Sequence, residues 1–230
     1  MDREAFYDAV RPHVNLTTQN VIGMKRVLTY GEKQGVRRER FAYIIATAWW
    51  ETAQTMQPVK EAYWLSEDWR RRNLRYYPWY GRGLVQVTWK TNYARFGEVL
   101  YEGGVVDDPK AFIKAPNKLL EWEYALPALF VGMETGIYTG KALGDYIDDV
   151  DEPDAEDLRE YTNARRIVNG TDKAQTIARL ALVFENGLKA AGYDVLALDP
   201  EPVPPMPPPP PDHGLIRRLV WWLKRILIGD

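Results

Sequence analysis

Carboxylates are the side chains of this chain best placed to do chemistry. Glu51 closes a strongly helical segment and lies seven residues after Ile44, so it stands almost directly above that apolar residue. A carboxyl at the edge of an apolar stripe is partly desolvated. That favours its neutral form and keeps a proton available near neutral pH. Glu61, Glu67 and Asp68 follow in a segment without helical periodicity. Two carboxyl groups facing one cleft suit hydrolysis of a glycosidic bond: one protonates the leaving oxygen, and the other activates water or attacks the sugar. A chain turning back after Glu51 would bring Glu61 to the roughly 6.5–9.5 Å separation of an inverting site, whereas Glu67 needs a wider excursion. The competing readings are a last-turn glutamate pointing to solvent for Glu51 and ordinary surface carboxylates for the others. Only His13 and His213 are present, and there is no Cys. A histidine-based triad, a histidine zinc site, thiolate chemistry and disulfides are thereby disfavoured or excluded. No metal and no organic cofactor are implied.

Helices must position these groups. Thr17 or Thr18 can cap a helix running to about Gln34, with Gly35 as its stop. A second runs from Arg37 to about Thr52, where Phe41, Ile44, Ile45, Ala48 and Trp49 form a stripe of helical period. Residues 53–80 break the pattern with Pro58, Pro78, many aromatics and the run Arg70-Arg71-Arg72. A long irregular segment of this kind usually has a functional reason. Val85-Gln86-Val87-Thr88 alternates apolar and polar after a Gly-Arg-Gly turn and reads as a short strand or hairpin arm. Further helices are expected at about 89–102, at 116–137 with a kink at Pro127, at 154–168 and at 173–190. In the last, Ile177, Leu180, Ala181, Phe184 and Leu188 form the buried stripe. The eight acidic residues from Asp148 to Glu160 read as a solvated loop and helix N-terminus. The fold class is therefore mainly α, with a small β-hairpin beside the cleft.

Composition bounds the partners. The 230 residues carry a net charge of −2, which offers no field for nucleic acid. Nine Trp and fourteen Tyr allow both a rich core and a cleft whose aromatic faces stack on sugar rings. The N-terminus, MDREAFYDAVRPH, has neither a basic n-region nor an apolar h-region, so no secretory signal is visible.

One block is more specific than any of this: Tyr80-Gly81-Arg82-Gly83-Leu84-Val85-Gln86-Val87-Thr88-Trp89, followed by Asn92-Tyr93 and preceded by Trp50-Glu51-Thr52. Together these resemble the active-site signature of glycoside hydrolase family 19, the chitinases and phage cell-wall lysins with a lysozyme-like fold. The resemblance covers roughly residues 40–190 and is tight around Glu51, 80–93 and 165–170. It implies that Glu51 is the general acid, although the His of the family's His-Glu-Thr motif is replaced by Trp50. The general base is then a glutamate of the following loop. The shorter loop of the phage lysins favours Glu61 over Glu67. Gln86 and Asn92 look like sugar-binding residues, and Thr88 like the hydroxyl that holds the attacking water with the base. Tyr80, Trp89 and Arg82 fall on the substrate side of the match, with a structural or carboxylate-orienting cation as the favoured reading of Arg82. Asn169, in Arg165-Arg166-Ile167-Val168-Asn169-Gly170, is similar to a residue at the rear of the family's cleft, or else a helix cap before Gly170. Gly81 and Gly83 look like positions of unusual φ or close approach. Leu84 and Val85 depart from the family's Pro and Ile, and the disulfide-bonded loops of plant chitinases cannot form. The absence of those loops, the small size and the missing signal peptide point to the lysin branch, with peptidoglycan as partner and chitin as the alternative substrate. The implied protein is a monomer, made without a signal peptide in a host cytoplasm and acting at the cell wall or periplasm.

Composition changes abruptly near Asp199. Residues 1–198 read as the catalytic domain and 199–211 as a semi-rigid polyproline linker. Residues 212–230 read as a cationic amphipathic helix. Leu215, Ile216, Leu219, Val220, Leu223, Ile226 and Leu227 form one face, and Arg217, Arg218, Lys224 and Arg225 the other. With Trp221 and Trp222 at its centre, this segment suits an anionic membrane surface, although Trp221 and Ile228 fall on the polar side. At about fifteen residues it should lie on a bilayer rather than span it. Packing back on the domain and oligomerisation are the other roles open to it. A membrane-active protein whose antibacterial effect resides in this helix is the alternative from outside enzymology.

Overall fold

A computed structural model of the chain describes residues 1–148, 150 and 153–193. The expectations for the linker at 199–211 and for the helix at 212–230, including Arg217, Arg218, Trp221, Trp222, Lys224 and Arg225, lie outside the described residues.

Local chemistry sets the helix starts and stops. Asp2 accepts from the backbone N–H groups of Glu4 and Ala5 and opens α1, Arg3–Val10. Thr17 and Asn20 form a reciprocal capping box at the start of α2, Thr18–Gln34, which ends at Gly35 with φ of 59°. These are the expected limits. Then comes α3, Arg38–Glu51, whose residues 41–49 are all buried. A stripe alone does not describe it. α3 is the central helix, enclosed by α2 and by two later helices, α7, Trp122–Thr135, and α9, Ala174–Ala190. α8, Asp154–Ala164, and α1 pack on α9 as well. Phe184 of α9 lies 5.9 Å from Trp49 and 6.4 Å from Phe6, so one ring ties three helices together. Burying such a side chain is worth about 1.5–3 kcal/mol.

The segment 53–80 is less irregular than its sequence suggests. Val59–Lys60 (β1) pairs antiparallel with Arg82–Gly83 (β2), and α4, Glu67–Asn73, lies between them. Ser66 caps α4 by accepting from Trp69 N–H, while Glu67 and Asp68 fill its first turn and Arg70, Arg71 and Arg72 its last. The expected arm at 85–88 is mostly a turn; only Val87 bridges back to Arg82. The true partner of the Gly-Arg-Gly segment is β1, immediately before Glu61. α5, Lys90–Glu102, and the short α6, Ala111–Lys114, complete this side. The helix expected at 116–137 is a 3-10 turn at Pro116–Leu120 followed by α7, which continues through a buried Pro127. The one expected at 154–168 is α8 followed by a 3-10 turn at Arg165–Ile167. Among the described residues no helix is long and apolar enough to cross a membrane.

Candidate active site

The end of α3 faces the β1–β2 pair across a cleft of about 590 Å³. Thr52 makes the turn that opens it. Fully buried, it donates its hydroxyl to Ala48 O at 2.7 Å and accepts from Met56 N–H at 3.0 Å, reversing the chain after Glu51. Six non-glycine residues between α3 and α5 hold positive φ: Ala53, Gln54, Met56, Ala62, Gln86 and Trp89. Backbone strain of about 1–3 kcal/mol each is concentrated around one cleft and must be overcome by the packing around it.

Glu51 and Glu61 both line this cleft. Glu51 keeps 14% of its side-chain exposure and accepts from Arg165 Nη1 at 2.7 Å. Burial pushes its carboxyl above the usual glutamate range; Arg165 pulls it back, and the charges of Asp172 and Glu61 push it up again, leaving it raised. Arg165 is buried and donates its Nε to Asp172 O at 2.9 Å, so the 165–172 turn holds the cation in place. Glu61 is gripped differently. Its Oε1 accepts from the Tyr76 hydroxyl at 2.7 Å and its Oε2 from Gly81 N–H at 2.9 Å. Burial, with the carboxylate of Glu61 beside it, pushes the Tyr76 hydroxyl up to about 12, so it stays a donor at neutral pH. Its backbone is fixed too, since Glu61 N–H donates to Gly81 O at 2.7 Å and buried Arg70 donates to the carbonyls of Glu61 and Ala62.

Glu67 does not line the cleft. It accepts from the Tyr80 hydroxyl at 2.9 Å, from Lys60 at 3.2 Å and from Arg70 at 3.3 Å. Burial raises its carboxyl, but these donors and cations outweigh that and hold it below the usual range. It is a structural carboxylate of the wall behind Glu61.

The glycine expectations hold in two different ways. Gly83 has φ of 85°. At Gly81 a Cβ would lie 2.7 Å from Gln86 Oε1 and 3.2 Å from Glu61 Oε2, so the close approach of these two side chains favours glycine there.

Of the residues expected to touch substrate, Gln86, Thr88, Trp89, Asn92 and Asn169 line the cleft. Thr88 donates its hydroxyl to Gln86 O at 2.8 Å, which leaves its oxygen as an acceptor. The Gln86 amide nitrogen is committed to Val59 O and Gly83 O, each at 3.1 Å, so it pins β1 and the turn after β2 together. The side chain of Asn92 makes no hydrogen bond to the described residues. Asn169 is exposed at the rim, and Gly170 beside it takes φ of 56°, so the cap geometry and the cleft position coincide. Tyr80 and Arg82 do not touch the cleft as substrate-binding residues, and Arg82 follows its structural reading instead. Tyr80 is fully buried and spends its hydroxyl on Glu67. Arg82 is 3% exposed, lies 3.6 Å over the Tyr80 ring, and donates to Asn117, Pro78 O, Tyr80 O and the Tyr93 hydroxyl. It is the structural cation of the block and does not reach the cleft.

Sequence reasoning passed over Tyr76, Arg70 and Arg165 as site residues. Arg165 stands 114 positions from Glu51, and only its place before the Ile-Val-Asn-Gly segment hinted at the site. It also passed over Tyr63 and Trp64, an exposed edge-to-face pair 5.1 Å apart on the rim. No family model, no curated protein and no solved structure matches this chain.

Proposed function

We propose that the chain is a glycosidase that hydrolyses β-1,4 bonds of bacterial peptidoglycan by inverting acid–base catalysis, in the manner of a phage endolysin. One observation carries the reading: a half-buried, upward-shifted Glu51 and a Glu61 gripped by neutral donors share one cleft rimmed with aromatic side chains. Glu51 donates its proton to the leaving oxygen, and Arg165 stabilises the carboxylate that forms. Glu61 takes a proton from water on the opposite face of the sugar. That water has two protons and two acceptors, the Glu61 carboxylate and the Thr88 oxygen. Both groups return to their starting states after proton exchange with solvent. Asn92 and Asn169 are free to hydrogen-bond the acetamido and hydroxyl groups, and Trp89 offers its face to a ring.

The test is digestion of purified peptidoglycan by wild type, Glu51→Gln and Glu61→Gln, with products resolved by mass spectrometry and anomeric configuration by NMR. New reducing ends of inverted configuration from wild type alone are the expected result. Their position identifies the bond cut. Intact glycan with folded wild type overturns the reading, and soluble oligosaccharides from colloidal chitin alone would transfer it to chitin.

A further inference from the structure

Exposed aromatic surface is concentrated at the cleft. Among the described residues Tyr63, Trp64, Trp89 and Tyr101 are the exposed aromatic side chains; the first three line the cleft, and Tyr101 lies elsewhere, on α5. Trp64 is the most open of them, at 67%. Large apolar faces left in water at one place mark a binding surface. The Tyr63–Trp64 pair is also firmly placed. It stands on the turn directly after Glu61, where Ala62 holds φ of 47° and Leu65 N–H donates to Ala62 O at 2.9 Å. Buried Arg70 donates to Glu61 O and to Ala62 O, each at 2.8 Å. The β1–β2 pairing fixes the turn at one end, and Ser66, the cap of α4, fixes it at the other. The two rings meet edge to face with centres 5.1 Å apart, which holds their planes nearly perpendicular. One turn thus positions a carboxylate and an aromatic surface. Trp89 is tied to Glu61 by a separate route, through Tyr76, which packs edge-on against it at 5.0 Å and donates to the carboxylate.

We propose that Tyr63 and Trp64 form a stacking platform for a sugar ring beyond the one that Trp89 receives, so that the cleft holds a run of glycan longer than the two units joined by the bond it cuts. The inference rests on the glycan-cleaving reading of the same cleft and deepens it by adding a binding subsite. A β-linked pyranose carries its substituents around its edge and leaves C–H groups on its two faces. An indole covers such a face, while the edge needs donors and acceptors close by. Thr88, Asn92 and Asn169 bring both to the same cleft. That mixture suits a sugar chain, whereas a lipid surface would leave those polar groups without partners. Two aromatic stations reached from Glu61 by separate routes call for two rings. Because the turn and its rings are already ordered, little side-chain entropy is lost when a sugar settles on them.

The test is binding of two hexasaccharides to the full chain carrying Glu51→Gln, which keeps the ligands intact: a peptidoglycan fragment with its stem peptides, and the N-acetylglucosamine hexamer. Calorimetry gives the affinity, and NMR follows the indole N–H signal of Trp64, identified by its loss in Trp64→Phe. At least one hexasaccharide should bind and shift that signal in step with saturation. Trp64→Ala should weaken it by about five- to tenfold, as expected for one lost aromatic stack. Trp64→Phe should recover part of the loss, since a smaller aromatic face remains. Unchanged affinity in Trp64→Ala would overturn the proposal. So would a Trp64 signal that stays put while a hexasaccharide binds, which would make the residue a mere support for the Glu61 turn. Binding of neither hexasaccharide, with a signal that answers only to vesicles of anionic phospholipid or to nothing, would overturn it as well. Failure of the glycosidase reading is separately visible: wild type would leave both polymers uncut while the Trp64 signal still answers to the sugar.

Discussion

At the scale of single residues, the two glutamates that follow Glu51 in the chain have opposite fates, and substitution separates them. Glu61→Gln should lower kcat by about 10²- to 10⁴-fold with little change in KM, because a general base acts in the transition state. Glu67→Gln should keep most activity and lower stability by no more than about 1 kcal/mol, as for an exposed pair. Its contribution is present above the unfolded carboxyl range and disappears as pH falls through the depressed folded value. A dead Glu67→Gln beside an active Glu61→Gln would exchange their roles. Glu51 has the reverse sign. Its folded value is raised, so its favourable contribution exists at low pH and is lost as pH rises through that value. On the proposed mechanism activity needs the protonated form, so the alkaline limb of the pH–rate profile should report Glu51. Arg165→Met removes the cation that pulls Glu51 down and should move that limb to higher pH. It should also cost roughly 3–5 kcal/mol, because a buried pair is broken. Profiles of wild type and variant in the same buffers decide it; an unmoved limb would mean that another group sets it.

At the scale of elements, the close approach at Gly81 makes a sharper test than a deletion. Gly81→Ala puts a methyl against the side chains of Gln86 and Glu61, at 2.7 Å from Gln86 Oε1, 3.2 Å from Glu61 Oε2 and 3.3 Å from Gln86 Cβ, with no backbone atom among these nearest contacts. The fold should survive with a loss of about 1 kcal/mol or less, while the displaced base lowers kcat by about 10²-fold. Activity falling only in proportion to folded protein would contradict this. The same elements show what the sequence made legible. α2 was readable to the residue because Thr17, Asn20 and Gly35 are local signals. α3 was readable as a helix but not as the central one, since its enclosure depends on α9, more than a hundred residues later. α4 went unread although Ser66-Glu67-Asp68 is a start signal, because seven residues with three consecutive arginines show no apolar period. The β1–β2 register depends on where the chain returns after Glu51, and no local pattern in two-residue strands encodes it. The site followed the same division. Glu51, Glu61 and Thr88 were visible from spacing and motif, whereas Arg165, Tyr76 and Arg70 become partners only through tertiary contact.

At the scale of the whole molecule, the proposed chemistry depends on two supports meeting at one cleft. Glu51 and Arg165 belong to the α3–α8–α9 assembly, and Glu61 belongs to the β1–β2 wall braced by α4 and Arg70. Asp2 N–H donates to Ala191 O at 2.9 Å and the Tyr193 hydroxyl to Val36 O at 2.6 Å, so the two ends of the helical assembly are fastened to each other and to the start of α3. Among the described residues, the core and the cleft are built from residues up to 193. A chain ending at Leu198 should therefore melt within about 2 °C of the full chain and cleave soluble glycan at the same rate. Its deficit should appear only against intact cells, where the expected cationic segment would meet an anionic surface. Parallel measurements of melting, soluble-glycan hydrolysis and lysis of intact cells separate the contributions. Loss of soluble-glycan cleavage would show that residues after 198 help build the cleft, and undiminished lysis of intact cells would remove the membrane role from the C-terminal segment.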